Sequence, residues 1–144
     1  MSVELHIFLQ DSRLPSRDAW QQAIAQLSFP AVLESSLDLR KDTGFVPTTY
    51  KGQSTGFEFY LESAADILSS YPHISLKAGS CDMCATFRWG GDLTECAAAL
   101  SAAAALTAIA QGIYYDPEAD TIFDANEAVE ATRHELGEID GSIE

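Results

Sequence analysis

The stretch that most constrains this chain is Asp92–Gly112, DLTECAAALSAAAALTAIAQG. Its interior is mostly alanine, the best helix former. No charged residue lies between Glu95 and Asp116. Asp92 is a good N-cap and Glu95 follows three positions on, which predicts a capping box. Both acids suit the positive end of the helix dipole. Gly112 is placed to be the left-handed residue that stops the helix. About twenty residues of helix span roughly 30 Å. On that helix Leu93, Cys96 and Leu100 fall on one side, and Leu106 and Ile109 point nearly opposite. A helix that is apolar all round is a buried one. The uncharged run from Cys96 to Ala110 is built of Ala, with Ser101 and Thr107 inside it. It falls short of the roughly 20 strongly apolar residues of a membrane span. The expectation is a core helix, with no membrane as partner.

Around this helix the chain alternates. Val3–Leu9 (VELHIFL), Phe57–Leu61 (FEFYL) and Met83–Trp89 (MCATFRW) read as strands. In the last, Cys84, Thr86 and Arg88 share one face and Ala85, Phe87 and Trp89 the other. Ser16 caps a helix running to about Leu27, with Trp20, Ile24 and Leu27 on one face. Ala31–Leu39 and Ile74–Ala78 also read as extended. Phe45–Tyr50, broken by Pro47, fits a sheet edge or a loop. Gly52–Gly56 is turn-like, and a short helix over Ala64–Ser70 stops at Pro72. After the alanine helix, Ile113–Tyr115 and Thr121–Phe123 form a hairpin. Asp124 and Glu127 make a second capping box for a last helix that ends at Gly137. Irregularly spaced strands and helices predict an α+β fold. Its sheet is mainly antiparallel, with the long Ala-rich helix buried and the C-terminal helix packed on it. Residues 1–137 are expected to form a single domain and 138–144 an acidic, mobile tail.

Net charge is −14. Every Lys and Arg except Arg133 lies at or before Arg88. Nucleic acid and anionic membranes call for a basic surface, so neither is expected as a partner. A basic protein is the partner such a field favours. The chain starts without a basic segment leading into an apolar one, so a cytoplasmic location is expected. Three cysteines do not make a disulfide framework.

Four motifs bear on chemistry. Cys81-Asp-Met-Cys84 has the spacing of a half zinc site or a redox pair. A complete metal site would need Cys81, Cys84, Cys96 and His73 to converge, and the plainer reading is a turn entering a strand. Asp116–Glu127 places acids at positions 1, 3, 5, 9 and 12, as a calcium loop does, but Thr121 stands where that loop wants Gly. A hairpin followed by a helix cap explains the same residues. Gly90-Gly91 before a helix suggests an anion cradle, which Asp92 opposes, and Arg88 is expected to pair with a carboxylate on the sheet. His6, His73 and His134 are scattered, with Glu130 one turn before His134, and no catalytic triad is legible. No enzymatic activity and no cofactor are expected. The remaining candidate is a partner-binding projection made of Tyr114, Tyr115, Asp116, Glu118 and Asp120, tyrosine being a favoured interface residue.

Parts of the C-terminal half resemble the immunity proteins of bacterial polymorphic toxin systems. These are FRWGGD at Phe87–Asp92, the alanine helix, GIYYDPE at Gly112–Glu118 and the capped last helix. The resemblance implies an acidic protein that binds one cognate toxin, in many cases a basic nuclease, and blocks its active site. No residue role carries over from it. The expectation is therefore an acidic binding protein that neutralises a basic toxin or effector. Two alternatives stay open: a small metal- or redox-active domain using Cys81 and Cys84, and a homodimer formed through a strand edge near Pro47.

Overall fold

Seven segments alternate well enough to pair, and they form one sheet. A computed structural model describes residues 2–143; Met1 and Glu144 lie outside the described residues. The strands are β1 (Val3–Leu9), β2 (Ala31–Leu33), β3 (Gly44–Tyr50), β4 (Gln53–Ser63), β5 (Met83–Trp89), β6 (Ile113–Asp116) and β7 (Thr121–Phe123). Their order is β2-β3-β4-β5-β1-β6-β7, and every neighbouring pair is antiparallel. The helices are α1 (Arg17–Gln26), α2 (Ala64–Leu68), α3 (Ser75–Ala78), α4 (Leu93–Ala110) and α5 (Ala125–Ile143). The α+β fold expected from the sequence is the one observed, with α4 buried and α5 packed on it.

Period-two alternation sends Leu5, Ile7, Phe57, Phe59, Ala85 and Phe87 to the face that carries α4, α1 and α5. Along α4 the seven alanines Ala97–Ala99 and Ala102–Ala105 have no exposed surface. Small side chains let three neighbours approach at once, which an amphipathic helix with one leucine stripe would not allow. By length and apolarity alone α4 would also suit a membrane span. Here the sheet, α1 and α5 enclose its middle, and only Leu93 and Ile109 protrude near the ends.

Both capping signals act, one of them altered. Glu127 and Asp124 exchange backbone bonds in a full box. Asp92 accepts from the Glu95 N–H, but Glu95 reaches back to the Gly90 N–H instead of to Asp92. The α4 stop is Gln111, at φ +52, not Gly112. Gly112 has a different duty, since a Cβ there would run into the Phe8 carbonyl oxygen of β1.

Four further expectations are corrected. Only Ala31–Leu33 is a strand; from Glu34 the chain turns, with Asp38 and Asp42 satisfying local N–H groups. Leu37 and Leu39 are still buried, so apolar alternation came from a loop. Pro72–Ile74 is a 3-10 turn leading into α3. Ile74 and Ala78 are both buried, and their spacing of four is helical. Pro47 lies in β3, one strand in from the edge, where the Glu34 N–H donates to the Pro47 carbonyl and β2 ends. Lys51 and Gly52, both at positive φ, make the tight β3–β4 hairpin, and Gln53 already belongs to β4.

The largest correction concerns the C-terminus. Residues 138–143 are not a mobile tail, because α5 runs through Gly137 to Ile143. Ile139 is buried, Asp140 accepts from the Tyr50 hydroxyl at 2.9 Å, and the same carboxylate meets Lys51 at 3.1 Å. The expected result for Ile139→Ala is a loss of about 2–3 kcal/mol, read as a lower urea midpoint. A mobile tail would give no change.

Candidate functional site

One half of the other sheet face is covered and the other half is open. α2, the 3-10 turn and α3 lie over Phe8, Cys84 and Tyr115. Beyond them three cross-strand rows run across the face, with Glu4, Glu58, Tyr60, Glu62 and Arg88 reaching solvent and Thr86, His6 and Tyr115 buried between and beside them. The first runs Glu58–Arg88–Glu4, from β4 through β5 to β1. The second runs Tyr60–Thr86–His6–Tyr115. The third begins with Glu62, opposite Cys84. Farther out on the same face Phe45 is 61% exposed and Val32 is 52% exposed. Phe45 lies over Gly56, where any side chain would collide with its ring.

Charge on this face is partly paired. Arg88 Nε donates to Glu4 Oε1 at 2.9 Å, and Nη2 donates to the same oxygen. The guanidinium also stands 6.0 Å above the Tyr60 ring. This is the expected pairing of Arg88 with a sheet carboxylate. The Tyr60 hydroxyl donates to Glu58. Glu62 is exposed, and its side chain accepts a long 3.4 Å bond from the Thr86 hydroxyl. No cation pairs with Glu62 among the described residues.

His6 sits under this face. Only 3% of its surface is exposed, and Nδ1 lies 3.0 Å from Thr86 Oγ1. Nε2 is buried without a hydrogen-bond partner, 3.7 Å from Glu4 Oε2. Burial lowers the His6 pKa below its usual 6.5, while Glu4 and Glu62 push the other way. The unfolded chain therefore binds the imidazole proton more readily than the folded one. Stability is expected to be full above pH 6.5 and to fall as the pH drops through 6.5 toward the lower folded value. Urea unfolding of wild type and His6→Asn across pH 5–8 checks this. The slope assigned to His6 should vanish in the variant.

The other predicted residues are not brought together. Cys84 faces the covered side with Phe8 and Tyr115, and Cys81 packs at its margin. Cys96 lies on the opposite side of the sheet, in a groove of about 420 Å³ with Trp89, Tyr114 and Glu135. His73 bonds Asp120 at 2.7 Å. Among the described residues no three His, Cys, Asp or Glu side chains are placed to hold a metal ion. Burial raises the Cys84 thiol to about 12 and the Cys96 thiol to about 11, and it also raises Cys81. A reactive thiolate needs the reverse shift.

The tyrosine projection is corrected too. Tyr114 points into the core beside Phe123. Tyr115 is buried on the other face and its hydroxyl donates to Asp120 at 2.8 Å. Burial, then that bond, raises the Tyr115 pKa to about 12. Asp116 caps its own turn by accepting from the Glu118 and Ala119 N–H groups, and Asp124 and Glu127 cap α5. The calcium-loop acids thus have structural duties. Only Glu118 is exposed and uncommitted at its side chain. His134 pairs forward with Glu138 at 3.3 Å, not back with Glu130.

No sequence motif marks the open face, though part of it is visible in the strand pattern. Glu4/His6/Phe8, Glu58/Tyr60/Glu62 and Thr86/Arg88 each recur at the spacing of one strand face. Their convergence depends on register, which no local pattern encodes.

No protein-family model, curated protein or solved structure matches this chain.

Proposed function

We propose that this chain is an acidic binding protein that holds a basic protein partner, as an immunity protein holds its toxin, and does so through the open half of the sheet face. The observation that carries this reading is the composition of that face. Among the described residues three carboxylates, Glu4, Glu58 and Glu62, share it with a single cation, Arg88, and apolar Phe45 and Val32 stand exposed beside them. Aromatic and apolar anchors with charge at their margin make a workable interface. The net charge of −14 steers a basic partner toward it.

The test is capture with the full chain at low salt, followed by titration of the recovered protein. The expected partner is basic, binds one to one, and weakens steeply as salt rises. Recovery of no protein partner, or of an acidic one held equally well at high salt, overturns the reading.

A further inference from the structure

The open face contains a pocket of about 410 Å³ bounded by Glu4, His6, Tyr60, Glu62, Ile67, Thr86 and Arg88. Its hydrogen-bonding groups are unevenly matched. An ionised carboxylate only accepts, so the 3.4 Å contact between the Thr86 hydroxyl and Glu62 is a hydrogen bond when Thr86 gives its one proton there rather than to His6. Thr86 Oγ1 must then accept from His6 Nδ1–H. In a neutral ring that leaves a bare lone pair on Nε2. The lone pair is buried and lies 3.7 Å from Glu4 Oε2, which is itself an acceptor. Both Arg88 contacts fall on the other Glu4 oxygen, Oε1. Two carboxylates and the His6 ring thus border one small space, Nε2 itself being buried, and the guanidinium at its rim is already committed to Glu4 and Tyr60.

We infer that this pocket receives a lysine side chain of the protein partner, whose ammonium group donates to His6 Nε2 and to the Glu4 and Glu62 carboxylates. Lysine carries three donors on a compact head, matching three acceptor groups, whereas a guanidinium needs a coplanar pair. The alkyl stem has Ile67 and the Tyr60 ring to lie against. A metal ion is the competing occupant, but it needs its ligands within about 2.0–2.2 Å, and no three His, Cys, Asp or Glu side chains among the described residues are placed for that. An ammonium, by contrast, is met at hydrogen-bond distance, about 2.8 Å. The inference rests on the reading of this chain as a binder of a basic protein, and it names where that partner is anchored.

The experiment is a titration of full-length protein, labelled with ¹⁵N-histidine, with Nα-acetyl-lysine N-methylamide at pH 7.5 and constant ionic strength. His6 is assigned by comparison with His6→Asn. Nε2 is expected to resonate as an unprotonated nitrogen and to shift saturably with the probe, but not with the norleucine counterpart. Glu62→Gln should weaken binding about tenfold, and Glu118→Gln should leave it unchanged. A proton on Nε2 at the start overturns the inference. So does the absence of a saturable shift, or tighter binding of ethylguanidinium or of putrescine. The two readings fail separately. A basic protein captured by a chain whose Nε2 ignores the lysine probe removes the pocket alone. A saturable probe response with no basic protein captured leaves an ammonium site and removes the partner.

Discussion

Replacing Trp20 with alanine is expected to cost about 4 kcal/mol, a large part of the 5–15 kcal/mol that holds a typical domain together. Trp20 has no exposed surface. Its ring lies 5.4 Å from that of Phe59 and 6.0 Å, edge-on, from that of Phe87. Its Nε1–H donates to the Ala102 carbonyl at 2.9 Å. One side chain therefore ties α1 to the middle of α4 and both to the centre of the sheet. The alanines in the middle of α4 are already fully buried and too short to fill the space. Trp20→Phe keeps most of the ring burial and loses the bond, so about 1–2 kcal/mol is expected. Urea unfolding followed by circular dichroism measures both. A Trp20→Ala loss under about 1 kcal/mol would mean that this cluster does not hold the helical layer to the sheet.

That hub was half legible in the sequence. Trp20 and Ile24 mark the inner face of α1 by spacing alone, and Phe57, Phe59 and Phe87 mark inner strand positions the same way. The alanine run announced a buried rod, and its caps announced where the rod starts. These features are local, fixed by periodicity and by the chemistry of helix ends. What stayed hidden depends on partners far along the chain. Gly137 looked like a helix stop because nothing nearby tells that Ile139 has a buried place waiting or that Asp140 reaches Tyr50. Tyr114 and Tyr115 looked like a projection because a hairpin taken alone is exposed on both sides. In the fold, β6 pairs with β1 and sends one tyrosine to each buried layer. Cys81 and Cys84 looked like half a metal site because spacing does not reveal which side of a sheet Cys96 will occupy.

The open face follows the same logic and leads to the largest expected effect on binding. Glu58→Lys/Glu62→Lys should weaken the basic partner by about 100-fold at low salt, mostly through slower association. The loss should shrink as salt screens the surface. The double variant gains two positive charges and loses two negative ones, moving net charge from −14 to −10. Glu118→Lys/Glu130→Lys makes the same change in net charge, but at the hairpin tip and on α5. If position on the sheet face decides binding, the second variant stays within about threefold of wild type, because a remote charge acts only through the weak long-range field. If overall acidity alone draws the partner in, the two variants lose equally. If the hairpin tip is the contact, the Glu118 variant loses more. Stability separates lost binding from lost folding. Among the described residues Glu62 has no cation to lose, only the long bond from the Thr86 hydroxyl, and Glu58 gives up one hydroxyl bond and a favourable place opposite Arg88. A cost of about 1 kcal/mol or less is expected for the pair, leaving the fold intact while the charge pattern that the partner reads is inverted.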